Sequence, residues 1–203
     1  MSGTETVFSI IILVFSVVLH EISHGYMALY LGDPTAKLSG RLTLNPFSHL
    51  DPFGSVIVPI ITSMFGFTFG WAKPVPYNPY NLRNGKWGPA LVAAAGPGAN
   101  LIIALVFGLS LRFGFLSLAT PFGELAFLIT IVNIVLAVFN MVPLPPLDGS
   151  KVLFALIPYK WRHIEEILTR SQFIIIALII LFGAPFVSYF VQLLATLIIG
   201  PIV

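Results

Sequence analysis

The chain has 203 residues, of which 57% are hydrophobic and only 9% charged, and its mean hydropathy is +0.97. Soluble domains carry roughly 25% charged residues, so a water-soluble globule is excluded and lipid is the natural solvent for the surface. Ten basic and eight acidic residues with no Lys/Arg run leave no nucleic-acid footprint, and the absence of cysteine excludes disulfides, thiolate catalysis and Cys-ligated metal.

The N-terminus, Met1 to Val7, has no basic region, and the apolar stretch after it continues without a small-residue cleavage site, which predicts a retained helix rather than a signal peptide. Residues 5–31 are almost continuously apolar and stop at Gly32, Asp33 and Pro34, which is helix-ending chemistry after a span-length segment. Trp87 to Leu111, Pro121 to Asn140 and Gln172 to Ile199 also exceed the roughly 20 residues that a hydrocarbon core requires. Leu38 to Leu44 alternates weakly before Asn45-Pro46 and, with Trp71 to Tyr77, predicts a short hairpin of strands. Trp161 to Arg170 reads as an interfacial helix, with Trp161, Ile164, Ile167 and Leu168 on one face and Arg162, Glu165, Glu166 and Arg170 elsewhere.

Phe53 to Gly70 is shorter than a span and is interrupted by Pro59 and Gly66. If it crosses, the basic residues divide 7 to 3 between the two sides; if it dips in and returns, they divide 9 to 1. Positive residues collect on the cytoplasmic side, so the second arrangement is expected, with both termini outside the cytoplasm. The predicted architecture is an all-α polytopic membrane protein forming a single integral membrane domain over 1–203. It has four full transmembrane helices, a re-entrant segment and a short membrane-embedded β-hairpin.

Inside the first span stands His20-Glu21-Ile22-Ser23-His24. Residues four apart share a helix face, so the two imidazoles can face one ion while Glu21, about 100° round, reaches a water beside it. Ionisable groups at the centre of a span cost about 2.5 to 3.5 kcal/mol each even on lenient scales, which argues against a packing role. Two His leave a tetrahedral zinc short of a third protein ligand, and no Glu stands roughly 20 residues on, as a thermolysin-type site would place it. Asp148 is one candidate, on a Pro-broken stretch from Asn140 to Gly149 at the membrane boundary; its plainer role is a helix N-cap. His49 is the rival ligand, and with Asp51 it also reads as a supporting pair or a surface cap. In the re-entrant arrangement the first and third secure spans run parallel, which brings His24 and Asp148 to the same side.

The HExxH motif and Asn140-x-x-Pro143-x-Pro145-x-Leu147-Asp148-Gly149 enclose Ala95-Gly96-Pro97-Gly98-Ala99-Asn100. With Gly40-Arg41-Leu42-Thr43-Leu44-Asn45-Pro46 and His49-x-Asp51, they resemble the site-2 protease family of intramembrane zinc metalloproteases, in its short form without PDZ or regulatory domain. The resemblance covers nearly the whole chain. It implies one Zn2+ per chain held by His20, His24 and Asp148, with Glu21 as general base. It also places Asn100 and Asn140 at the border of the active site, where an amide can hold substrate backbone or an oxyanion. The implied partner is the transmembrane helix of a membrane-anchored protein, unwound and cut near the cytoplasmic face of the cell membrane. Gly96, Pro97 and Gly98 read as a close-packing or kink site, and Asn133 as a bond to a neighbouring helix. Two other classes fit intramembrane His and Asp: a metal-ion transporter, against which no repeated halves are seen, and a non-catalytic scaffold that binds helices.

Overall fold

The computed structural model describes residues 3–64, 70, 72–158, 160 and 162–200. The first apolar run becomes α1, Gly3–Tyr30. It ends because Gly32 takes a left-handed φ of 106° and lets the Asp33 N–H reach back to the Ala28 carbonyl at 2.9 Å, satisfying an end group the helix would otherwise leave open. A single turn, α2 (Thr35–Leu38), follows. A 3-10 turn over Pro46–His49 comes next, then a wide helical turn over Pro52–Ile57 that runs into α3 (Val58–Ser63).

Trp87–Arg112 forms α4 and Pro121–Asn140 forms α5. His24 meets Val92 and His20 meets Asn100, so α1 and α4 run antiparallel. Asn100 meets Asn133, and Gly108 lies against Thr130 and Ile198, so α5 is antiparallel to α4 in turn. A Cβ on Gly108 would stand 2.5 Å from Ile198, so the small residue allows α4 its close approach to the C-terminal helix. Ala104, Ile134, Ala195 and Ile198 pack at this crossing, while Ile10, Ile11, Phe15, Ile102 and Val106 face outward as a lipid-solvated surface requires.

The Arg83 N–H donates to the Leu31 carbonyl at 2.8 Å, which puts the approach to α4 beside the exit from α1. The chain from 32 to 82 therefore leaves and returns at one end of the bundle. The wide turn and α3, six residues each, span under about 18 Å together, too short to cross a core of about 30 Å. Residues 65–69 of the expected re-entrant stretch lie outside the described residues.

Two expectations about architecture change. Among the described residues three single helices, Thr6–Tyr30, Trp87–Arg112 and Pro121–Asn140, are long and apolar enough to span a membrane, and the bent pair that follows makes a fourth span if it crosses as one broken unit. The fourth run is not one helix: α8 (Gln172–Phe182) and α9 (Ala184–Ile199) meet at Gly183 with a bend of 66°. Pro185 explains the break, since it has no N–H for the preceding turn and its ring crowds the carbonyl four residues back. Nor is there a β-hairpin, for no strand occurs among the described residues. Residues 72–78 form no ladder, because Pro74 and Pro76 carry no N–H to donate to a partner strand. Leu38 ends α2 instead of opening a strand. Two further helices occur among the described residues, α6 (Asp148–Leu156) and α7 (Arg162–Arg170), the latter where the interfacial helix was expected; Trp161 lies outside the described residues.

Candidate metal centre

His20 and His24 project from adjacent turns of α1 with ring centroids 4.6 Å apart and planes at 88°. Each ring is fixed through Nδ1. His20 Nδ1 bonds Asn100 Oδ1 on α4 at 2.6 Å, and His24 Nδ1 bonds the Val92 carbonyl, also on α4, at 2.7 Å. A carbonyl can only accept, so His24 carries a proton on Nδ1, which leaves Nε2 as the nitrogen able to bind a metal.

Those Nε2 atoms face Asp148. Its Oδ2 lies 3.1 Å from His20 Nε2 and 3.2 Å from His24 Nε2. Asp148 opens α6 but does not cap it: the N-cap position is Leu147, and no side chain caps the helix. The carboxylate is directed inward instead, and Gly149 makes this feasible because any Cβ there would run into the Met141 and Val142 main chain. Two imidazole nitrogens and a carboxylate oxygen thus converge on one point, an arrangement that a shared cation satisfies. The dimensions agree. Ligand atoms about 2.0–2.2 Å from a tetrahedral zinc stand about 3.3 Å from one another. His20, Glu21 and His24 also group by themselves, with one ligand atom from each lying within 4.8 Å of the others.

The fourth wall is a glycine. A Cβ on Gly96 would stand 2.5 Å from His24 Cε1 and Nε2 and 2.6 Å from His20 Nε2. The imidazoles therefore occupy the space a side chain would take. The expected close packing at Gly96 is real, and what packs there is the pair of rings.

Glu21, beside the two imidazoles, accepts the Val75 N–H through Oε2 at 2.9 Å. The stretch carrying Val75 is pinned along its length. Lys73 N–H donates to the His49 carbonyl at 2.9 Å, Arg41 Nη2 donates to the Lys73 carbonyl at 2.7 Å, and Asn78 N–H donates to Asp33 Oδ2 at 2.7 Å. The Lys151 ammonium of α6 lies 5.3 Å from the Tyr77 ring centroid, a cation–π contact joining this stretch to the helix of Asp148. Asp33, fully buried, also takes the Thr35 hydroxyl at 2.6 Å and Asn81 Nδ2 at 2.9 Å. Burial pushes its carboxyl up, but these hydrogen bonds outweigh burial and hold it below the usual carboxylate range.

The remaining expected site residues are placed as follows. Asn100 is fully buried with its amide between His20, Ser16 and Asn133, so it faces the ligand from behind. Asn140 Nδ2 donates to the Leu136 carbonyl of its own helix at 2.9 Å. His49 is buried and bonds the Thr43 carbonyl through Nε2, and it lies outside the His20–Glu21–His24 group. Asp51 caps the wide turn, accepting from Phe53 N and Gly54 N. Sequence reasoning missed Val92 and Val75, which act through main-chain atoms and carry no side-chain signal, and it missed Ser16 altogether.

A profile of Peptidase family M50 matches residues 116–183. YwhC of Bacillus subtilis, named as a provisional zinc metalloprotease, is 35% identical over 190 residues, covering 89% of this chain and 82% of its own. Rip2 of Mycolicibacterium smegmatis, similarly named, is 32% identical over 139 residues, 68% of this chain and 52% of its own. Rip2 of Mycobacterium tuberculosis is 29% identical over 172 residues, 84% of this chain and 64% of its own. The chain thus spans most of YwhC and a smaller part of each Rip2. No solved structure matches the chain.

Proposed function

The chain belongs to peptidase family M50, the site-2 proteases, and is a membrane-embedded zinc metalloprotease; from that premise we propose that His20, His24 and Asp148 hold the ion and that Glu21 is the general base. The observation that carries the ligand assignment is the meeting of Asp148 Oδ2 with both Nε2 atoms at 3.1 and 3.2 Å. When bound, zinc lowers the pKa of water toward about 7 and polarises a carbonyl. The chain's own residues do the rest. Val92 and Asn100 hold the two imidazoles in the tautomer that offers Nε2, and Gly96 leaves room for them. Glu21 takes the proton of the attacking water and returns it to the departing amine, completing hydrolysis of the peptide bond.

The substrate is the transmembrane segment of a membrane-anchored protein, locally unwound so that its peptide bonds come free of helical hydrogen bonds. Strand addition of the substrate to residues 72–78 does not suit this stretch. Pro74 and Pro76 have no N–H, and the N–H groups of Lys73 and Val75 are taken by His49 and Glu21. Asn140 is assigned to substrate contact at the end of α5, while Asn100 supports His20. The excess of Lys and Arg on the side of the metal end of the bundle orients that end to the cytoplasm, with the termini outside and the cell membrane as the site of action. The transporter and scaffold readings find no favour among relatives named as metalloproteases.

The test is Glu21→Gln in the purified chain reconstituted with a single-span test helix. Zinc content equal to wild type with cleavage lost is the expected result. Cleavage retained by that variant refutes the base, and Asp148→Ala binding zinc as tightly as wild type refutes the ligand set.

A further inference from the structure

Three polar side chains, one from each of the three span-length helices, form a closed circuit behind His20. Asn100 Nδ2 donates to Asn133 Oδ1 at 2.8 Å and to the Ser16 carbonyl at 3.3 Å. Asn133 Nδ2 donates to Ser16 Oγ at 2.9 Å and to the Ile129 carbonyl at 2.9 Å. Asn100 and Asn133 are fully buried and Ser16 nearly so. No water competes for these groups, and lipid offers them no partner.

The orientation of both amides follows from two main-chain carbonyls that can only accept. The Ile129 carbonyl requires Nδ2 of Asn133 to face it, which turns Oδ1 of Asn133 toward Asn100. The Ser16 carbonyl and that Oδ1 together require both N–H bonds of Asn100 Nδ2, so Oδ1 of Asn100 must face His20. A carbonyl oxygen 2.6 Å from His20 Nδ1 calls for a proton on that nitrogen, which leaves Nε2 as the electron pair. Turning the Asn100 amide over would set oxygen against the Ser16 carbonyl and the Asn133 oxygen. It would also set an N–H donor against Nδ1, favouring the tautomer whose Nε2 is protonated and cannot bind metal.

We propose that Asn133, held by Ser16 Oγ and the Ile129 carbonyl, is a positioning residue that fixes His20, through Asn100, in the tautomer whose Nε2 binds the ion. This rests on the assignment of His20 as a ligand. Asn133 touches neither the ion's place nor the substrate's. It acts over two hydrogen bonds, and it ties α5 to the chemistry on α1.

The test compares metal affinity, measured by chelator competition with Zn2+ and by the visible spectrum of Co2+, in the full chain in detergent. Asn133→Leu removes the acceptor that orients Asn100 and is expected to weaken zinc binding by roughly 10- to 100-fold, the range known for groups that support metal ligands, and to alter the Co2+ bands. Asn133→Asp, neutral when protonated, keeps an acceptor for Asn100 and one donor in place of two, and is expected to hold affinity and the Co2+ bands closer to wild type than Asn133→Leu does. Ser16→Ala, a milder change that leaves the Ser16 carbonyl in place, is expected to fall between the two and serves if Asn133→Leu melts in the metal-free state. Wild-type affinity and spectrum in Asn133→Leu and Ser16→Ala, with binding lost in His20→Ala, overturn this inference and leave the metal centre standing. Unchanged binding in His20→Ala overturns the metal centre and the inference with it.

Discussion

Gly96→Ala is the sharpest probe of the metal centre, because two effects of opposite sign meet there. In the interior of a helix, alanine is favoured over glycine by about 1 kcal/mol, so an unconstrained Gly96 would give a variant at least as stable as wild type. The structure predicts the reverse for metal binding. The added methyl would stand 2.5 Å from His24 Nε2 and 2.6 Å from His20 Nε2, about 1 Å inside ordinary contact of about 3.5 Å. The rings cannot retreat freely, since each is bonded through Nδ1 to α4, the helix that carries the new methyl group. Overpacking of this kind costs roughly 1–3 kcal/mol. Ligand atoms must also stay within about 0.2 Å of coordination distance, so a displacement of several tenths of an ångström falls largely on the metal.

The expected outcome is a loss of zinc affinity of about tenfold or more, equivalent to at least about 1.4 kcal/mol, with cleavage falling in step. Chelator competition reads the affinity, and thermal unfolding with and without zinc separates it from folding. Gly98→Ala is the control, because nothing lies within 4 Å of a Cβ at that position in the same helix. Wild-type zinc affinity in Gly96→Ala would show that the imidazoles do not sit against α4 and would refute the geometry from which the centre is built.

Two other predictions concern the stretch that faces Glu21. Val75→Pro removes the one N–H that Glu21 accepts while keeping the backbone extended; kcat should fall tenfold or more with KM and zinc content unchanged, and Val75→Ala, which keeps the N–H, should match wild type. Equal kcat in the two variants would show that this hydrogen bond does not orient the base. Asp33 has a folded-state pKa below its unfolded value of about 3.9, so the unfolded chain binds the extra proton in the window between them. Its contribution is fully present above about pH 4 and is lost as pH falls through the folded value. Asp33→Asn should unfold at lower temperature at neutral pH and lose less stability than wild type on acidification below about pH 4; parallel melting curves against pH in the two proteins would refute this.

How much of this was legible in the sequence depends on the range over which each feature is determined. The His20–Glu21–His24 face is local, set by one turn of one helix, and was read directly. The ends of α1, α4 and α5 were placed to within a residue or two, because Gly32, Thr120 and Pro121 fix them by short-range chemistry. The break at Gly183 was equally local, in Gly183-Ala184-Pro185, but mean hydropathy over a long apolar run outweighed it. The hairpin failed for a related reason. Alternation in Leu38 to Leu44 and extension in Trp71 to Tyr77 were visible, yet the prolines that extend the second stretch also remove the donors a ladder requires.

What periodicity could not show is which polar groups face one another across helices. In a membrane, that question has fewer answers than in a soluble core. A polar side chain within a span has no water to turn to, so its partner must come from its own backbone or from another span. Thr130 takes the first course, with its hydroxyl on the Ala126 carbonyl of its own turn. Ser16, Asn100 and Asn133 take the second, and their circuit closes behind a metal ligand. The useful sequence signal is therefore not a motif around Asn133, which has none, but the presence of one unexplained amide or hydroxyl in each of three consecutive spans. When such groups match in depth they are best read together, as one network whose last member marks the functional atom it orients.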